Sequence, residues 1–310
     1  MLTAETRGVY PVSPTPFLPN GDIDRESIAR LCSFYRRAGA KGVTVLGLLG
    51  EGAKLDAQES VETVRCFAEY AEGLELIVGA TAPGFSAMRY IANEAMAAGA
   101  VGVMVGPPTT LRTNEQVVGY YASVAEALGS GVPFIIQDYP LVNQVVFTTE
   151  VLREIVEKNP TCVSIKHEDW PGMDKLRTLK KYIKEGTMRK IPILIGNGGL
   201  FVDFEYAAEA DGAMTGYPFP EMLVRCLELM DEGKRDEMQD LFDAHLPYLR
   251  YEAQPKIGVA IRKYVLCRRG VLAHETQRKP MISLSEGTRK DVDYLLDRLV
   301  RKTGVELKLF

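Results

Sequence analysis

The sequence predicts an α/β fold, a (β/α)8 TIM barrel with a C-terminal helical extension, on three observations. Short apolar runs alternate with helix-length amphipathic stretches eight times. The runs are continuously apolar rather than alternating, as in parallel strands buried on both faces. Eight such units are the number that closes a barrel. An open doubly wound sheet competes, but the first strand-to-helix turn is Pro14-Thr15-Pro16-Phe17, without the GxGxxG that a dinucleotide fold would carry.

Taken in order, the predicted strands are residues 8–15, 42–46, 74–80, 101–105, 132–137, 162–166, 191–196 and 212–215. They are rich in Val and Ile and bounded by Gly or Pro, the pattern of buried strands. Helices are expected at 25–38, 57–72, 87–98, 114–128, 149–158, 173–184 and 201–209. Hinges such as Ala38-Gly39-Ala40 and Ala98-Gly99-Ala100 supply the left-handed residue that ends a helix. Four more helical stretches follow at 221–232, 236–245, 254–268 and 285–301. The expected division is a barrel over residues 1–234 and an extension over 235–310.

Composition narrows the function. The chain of 310 residues is 46% hydrophobic and 25% charged, and its formal net charge of −4 gives no global case for nucleic acid or an anionic membrane. No apolar run approaches the roughly 20 residues that span a bilayer. The first residues lack the layout of a signal peptide, so a cytoplasmic location is expected. The five cysteines are scattered and odd in number, and the three histidines show no ligand spacing, so neither disulfides nor a metal is expected.

In such a barrel, chemistry gathers where strands end and the following loops begin. Lys166 ends the run Thr161-Cys162-Val163-Ser164-Ile165-Lys166, ahead of Trp170-Pro171-Gly172. A lysine there either reaches solvent, pairs with Glu168, or serves as a sheltered amine that attacks a ketone to form a Schiff base. Alternation puts Lys166 and Glu168 on one face and His167 on the other, where packing is expected. Glu168 can then hold the amine or shuttle protons. Gln137 and Tyr139 should likewise share a face, with the phenol a proton relay or a packing group. The turn Gly47-Leu48-Leu49-Gly50 offers backbone amides to a carboxylate. Gly196-Asn197-Gly198-Gly199 offers a second backbone cradle, and no lysine or arginine accompanies it in the sequence.

These residues resemble the dihydrodipicolinate synthase / N-acetylneuraminate lyase family, class I aldolase-type barrels that form an imine with a 2-oxo acid. The resemblance runs through Pro11-Val12-Ser13-Pro14-Thr15-Pro16-Phe17, Leu46-Gly47-x-x-Gly50-Glu51, Ile165-Lys166-x-Glu168 and Gly212-Ala213-Met214-Thr215-Gly216. It implies Lys166 as the Schiff-base lysine, no cofactor, a small-molecule 2-oxo acid as substrate, and a homotetramer or homodimer. The family's hydroxyl pair in the carboxylate turn is Leu48-Leu49 here. Gln137 stands in place of its catalytic tyrosine, Val142 in place of an arginine, and Pro108 and Thr109 in place of a tyrosine pair. The Gln137-Asp138-x-Pro140 strand end looks closer to the 2-keto-3-deoxy-L-arabonate dehydratase branch.

The expectation is therefore a Schiff-base lyase, dehydratase or aldolase, acting on a 2-keto-3-deoxy sugar acid or pyruvate. Lys166, Tyr139 and Glu168 carry the chemistry, while Gly47, Leu48, Leu49, Gly50, Gln137, Gly196, Met214 and Thr215 contact substrate. Competing readings are a 4-hydroxy-tetrahydrodipicolinate synthase, a non-catalytic barrel that binds a small acid, and a phosphate-sugar aldolase, for which basic residues are lacking.

Overall fold

The computed structural model describes residues 1–170 and 172–310. Pro171 of the expected Trp170-Pro171-Gly172 breaker lies outside the described residues. Eight parallel strands form one sheet: β1 (Gly8–Val9), β2 (Gly42–Val45), β3 (Glu75–Gly79), β4 (Gly102–Val105), β5 (Phe134–Asp138), β6 (Cys162–His167), β7 (Ile193–Ile195) and β8 (Gly212–Ala213). The order β1-β8-β7-β6-β5-β4-β3-β2 becomes a ring through the Val12–Thr44 bridge. There Ser13 N donates to Thr44 O and Thr44 N to Pro11 O, both at 2.8 Å. The barrel predicted from the run of eight units is what the chain forms.

Helices surround the ring: α1 (Arg25–Arg37), α2 (Ala57–Tyr70), α3 (Phe85–Ala97), α4 (Asn114–Leu128), the single turn α5 (Pro140–Asn143), α6 (Thr149–Lys158), α7 (Met173–Lys184), α8 (Val202–Ala207) and α9 (Pro220–Asp231). Their starts are written locally. The Asp24, Thr113 and Thr148 side chains accept amides of the first turn, and Asp56 with Glu59 forms a capping box. Such caps satisfy amides that the helix itself leaves orphaned, each worth about 1 kcal/mol.

Beyond the barrel lie α10 (Arg235–Glu252), α11 (Gly258–Arg268) and α12 (Glu286–Thr303). The expected helix at 236–245 was too short. α10 continues through Pro247, because Tyr248, Leu249 and Glu252 beyond it are buried. Burying the apolar surface of Tyr248 and Leu249 yields about 1.5–3 kcal/mol each, enough to offset the hydrogen bond that proline removes.

Alternation sorts each strand into two environments. Phe134, Ile136 and Ile165 face the outer shell under the helices, whereas Tyr10, Ile77, Met104, Ile135, Leu194 and Met214 fill the interior. Leu2 closes the lower end, its amide bonded to Val101 O. The interior is a packed core with its open end at the strand C-termini.

Candidate active site

Register brings the site together. Gln137 of β5 pairs with Lys166 of β6, and Lys166 with Leu194 of β7. With Ile165 and His167 turned outward, Lys166 must point into the ring, where only 5% of it stays exposed. Its Nζ lies 2.9 Å from Glu168 Oε1. That oxygen also accepts Gln137 Nε2 at 2.9 Å, and Oε2 accepts the Asn197 amide at 2.9 Å. Three donors converge on one buried carboxylate and fix its position. Glu168 is thus placed to take the proton that the amine must shed before it attacks a carbonyl.

Gly196 explains how Glu168 fits. A Cβ at that position would stand 2.2 Å from Glu168 Cγ, which no side chain tolerates. The Gly196 amide donates to His167 O, while its carbonyl accepts Gly199 N and keeps a second lone pair. The turn after β7 does cradle an anion, but the anion is the protein's own Glu168.

Tyr139 departs from the strand geometry expected for it. β5 ends at Asp138, and Tyr139 takes φ −128°, ψ 73° as the residue before α5. The alternation that would pair it with Gln137 therefore does not apply. Burial raises its phenol pKa, the Glu168 charge raises it further, and the Arg262 guanidinium pulls it back. The phenol accordingly keeps its proton and suits an acid better than a base.

The turn after β2 is bracketed by two left-handed residues, Leu46 (φ 58°) and Glu51 (φ 55°). Such backbone is costly outside glycine and persists where the surroundings hold it. Within the turn, the amides of Leu48, Leu49 and Gly50 carry no hydrogen bond to another described residue. The two leucines of the turn point to different surroundings. Leu49 joins the barrel interior and would meet any side chain at Gly216, whereas Leu48 is 48% exposed at the rim. Gly47 packs beside Val12 and Met104. Met214 lies in the interior cluster, but the Thr215 methyl sits near Gly199 and its buried hydroxyl has no partner among the described residues.

His167 behaves as an outer packing residue. Its Nε2 lies 3.0 Å from Gly172 O and its Nδ1 3.8 Å from Asp138 Oδ2. Asp138 in turn holds Lys175 Nζ at 3.0 Å.

Sequence reasoning missed three residues. Asn143 of α5 turns Nδ2, buried and without a described partner, toward Gly106, where Gln137 Oε1 also lies. Lys263 of α11 is wholly buried against Glu51 at 2.6 Å. Arg262, its neighbour, brings a guanidinium to the Gly196–Gly199 turn, with Nη2 3.3 Å from where a Gly198 Cβ would stand. None carries a local motif. The only signal was two adjacent cations in a helix whose burial the sequence could not show.

A sheltered lysine beside a pinned carboxylate, at the open end of a (β/α)8 barrel, is the layout of a lyase that works on 2-oxo acids through a lysine Schiff base. The chain belongs to the dihydrodipicolinate synthetase family, which it matches over residues 5–299. It is 29% identical to the L-2-keto-3-deoxyarabonate dehydratase of Azospirillum brasilense, over 96% of each chain. It is 26% identical to the 4-hydroxy-tetrahydrodipicolinate synthase of Chlorobium luteolum, over 96% of this chain and 99% of that one. The crystal structure of dihydrodipicolinate synthase from Rhodopseudomonas palustris superposes with a TM-score of 0.94 at 52% identity, covering 96% of this chain and 99% of that one. Membership makes the protein a Schiff-base lyase of 2-oxo acids. Among the described residues no helix is long and apolar enough to cross a membrane.

Proposed function

We propose that the protein is a dehydratase of 2-keto-3-deoxy sugar acids. Lys166 Nζ adds to the C2 ketone, water leaves, and the protonated imine becomes the electron sink. Glu168, which takes the lysine's proton and passes it to the carbinolamine hydroxyl that leaves as water, is a carboxylate again and removes a proton from C3, later returned to Tyr139 to close the cycle. The electron pair passes to the imine nitrogen and returns as the C4–O bond breaks. Tyr139 gives its proton to the departing hydroxyl, so that water leaves, and hydrolysis of the imine frees the 2-oxo product and the amine. The 2-oxo carboxylate would lie on the amides of Leu48, Leu49 and Gly50, with Gly47 and Met214 beneath the substrate, Gln137 beside it and Thr215 at the rim.

One observation carries this reading: the Glu168 carboxylate held 2.9 Å from Lys166 and fixed by Gln137 and Asn197. Dehydration gives Tyr139, whose phenol keeps its proton, the role of donor to the C4 hydroxyl. The relation to the Azospirillum brasilense dehydratase supports the same choice. The test is borohydride reduction with a 2-keto-3-deoxy acid or pyruvate, followed by mass spectrometry. Adduct on Lys166 with loss of water from the deoxy acid is expected. Adduct elsewhere, or none, rejects the scheme.

A synthase that condenses pyruvate with an amino-aldehyde is the second reading, favoured by the 52% identity to the Rhodopseudomonas palustris protein. Against it stands the turn after β2, where Leu48 and Leu49 bring no hydroxyl to the reacting centre. Turnover of pyruvate with aspartate semialdehyde, and none of deoxy acids, would select it. We further propose a cytoplasmic homotetramer, to be checked by light scattering of the purified protein.

A further inference from the structure

We propose that Arg262 reads the far end of the substrate and that this end is a carboxylate, so that the enzyme takes 2-oxo dicarboxylates in preference to acids with a neutral tail. The inference rests on the reading of Lys166 as the imine-forming residue.

Arg262 sits on α11 of the extension, yet its side chain is 16% exposed and reaches the barrel mouth. Its one bond to a described residue runs from Nε to Glu252 Oε1, at 3.1 Å. The two terminal amino groups stand between the Gly198 turn and Gly258 at the start of α11, with Nη2 3.3 Å and Nη1 3.8 Å from where Cβ atoms would be. Neither glycine carries a side chain to fill that space. Structural arginines in this chain look different. Arg189 Nη2 donates to the carbonyls of Val156, Asn159 and Cys162, and the terminal nitrogens of Arg269 are taken by Pro218 O and Glu221. Arg262 instead keeps its end-on edge open, the edge that matches a carboxylate with two parallel bonds.

Position relative to the reacting amine follows from the turn after β7 and from Tyr139. Its phenol is close enough to both charges for Glu168 to raise its pKa and Arg262 to lower it. The direct link is the turn after β7: Asn197 N holds Glu168 Oε2 at 2.9 Å and the next residue, Gly198, faces Arg262 Nη2, so the guanidinium stands one residue along that turn from the group that pairs with Lys166. A substrate joined to Lys166 through C2, with its chain running past Tyr139, points its last carbon at Arg262. A hydroxyl there would engage one donor and leave the others without a partner, whereas a carboxylate engages both amino groups. A phosphate dianion fits less well, because Glu252 already offsets part of the guanidinium charge. Lys54 and Lys263 are held by Glu51, and Lys175 by Asp138 and Asp169, so none is left to share it.

The test uses the full chain and borohydride trapping on Lys166, read by intact mass. 2-Oxoglutarate and 2-oxoadipate are titrated against 2-oxopentanoate and 2-oxohexanoate, with pyruvate as the reference. The dicarboxylates should half-saturate trapping at concentrations on the order of 10- to 100-fold lower, the worth of a charged hydrogen-bonded pair. Arg262→Met should bring that ratio close to one, a change that general loss of folding would not produce. Arg262→Met strands buried Glu252, so Arg262→Lys is the second variant: it keeps the charge without the fork, and the ratio should fall severalfold. Adduct on Lys166 with no preference in the unmodified enzyme, a preference that survives Arg262→Met, or one undiminished in Arg262→Lys overturns the inference. So does 2-oxo-4-phosphonobutanoate outcompeting 2-oxoglutarate, which would assign the edge to phosphate. Absence of any Lys166 adduct, even with pyruvate, is a separate result that removes the underlying reading and the inference together.

Discussion

Two buried lysine–glutamate pairs lie at the open end of this barrel, and they are built for opposite ends. Lys166 and Glu168 meet at 2.9 Å, Lys263 and Glu51 at 2.6 Å. Lys263 has no exposed surface, also donates to Thr276 O at 2.7 Å, and packs over the Phe17 ring. Glu51 is saturated as well, taking Lys54 Nζ and the Arg278 amide at 3.0 Å each. That pair ties the extension to the turn after β2. Lys166 has one carboxylate partner and keeps a small opening to the mouth. A buried ion pair is therefore no sign of chemistry by itself. What sets Lys166 apart, and suits the role proposed for it, is that Glu168 is its one side-chain partner among the described residues.

The comparison breaks most sharply by removing each amine in turn. Lys166→Met should abolish borohydride trapping and lower turnover by at least on the order of 10⁴-fold, since no other group can form the imine. The protein should still fold, at a cost of about 3 kcal/mol, because Glu168 stays buried with only the neutral donors Gln137 and Asn197. Trapping that moved to Lys263 would erase the distinction drawn between the pairs.

Lys263→Met should spare the trapping. It leaves Glu51 buried with two remaining partners, a cost of about 3 kcal/mol in urea or thermal unfolding, at the low end for a broken buried pair. The Lys166 adduct should still form in the folded fraction. Loss of adduct without loss of stability would show that the α11 pair takes part in the reaction.

Much of this architecture was legible in the sequence. β-Branched runs at 42–46, 101–105 and 162–166 fall within a residue or two of β2, β4 and β6, because burial on both faces leaves a continuous apolar signature. Lys166 and Glu168 could be placed on one face by counting, whereas Gln137 joins them only through the β5–β6 register. The methods of counting fail where the chain leaves regular structure. Tyr139 lies one residue past β5, so its direction is set by the α5 cap. Gly196 looked like a cradle for ligand, since nothing local reveals that Glu168 occupies its space. Arg262 and Lys263 were invisible for a different reason: only the packing of α11 brings them to the mouth.

Acid offers a third way to separate the regions. His245 of α10 is buried against Tyr217, whose hydroxyl lies 2.8 Å from Nδ1, and burial with the nearby Arg269 charge lowers its pKa to about 4. Unfolded, it titrates near 6.5. Between those values the unfolded chain binds a proton that the folded chain refuses, so stability falls as pH falls from about 6.5 to 4, by about 3 kcal/mol in all. His245→Gln should flatten that slope in pH-dependent urea unfolding. The extension would then prove the acid-sensitive part of the molecule, with the Lys166 mouth untouched by the substitution.

The mildest prediction concerns Gly196, where packing and chemistry meet. Alanine there would place Cβ 2.2 Å from Glu168 Cγ and 2.8 Å from its Oε2, so the carboxylate must shift. Overpacking of this kind costs about 1–3 kcal/mol, and the lower figure applies if Glu168 can swing toward the mouth. Any such swing stretches the bonds to Lys166 and Asn197, and turnover should drop about 10-fold as proton transfer loses its geometry. Full activity with unchanged stability in Gly196→Ala would mean that Glu168 is not held where the chemistry needs it. The contrast with the rigid Glu51 would then disappear.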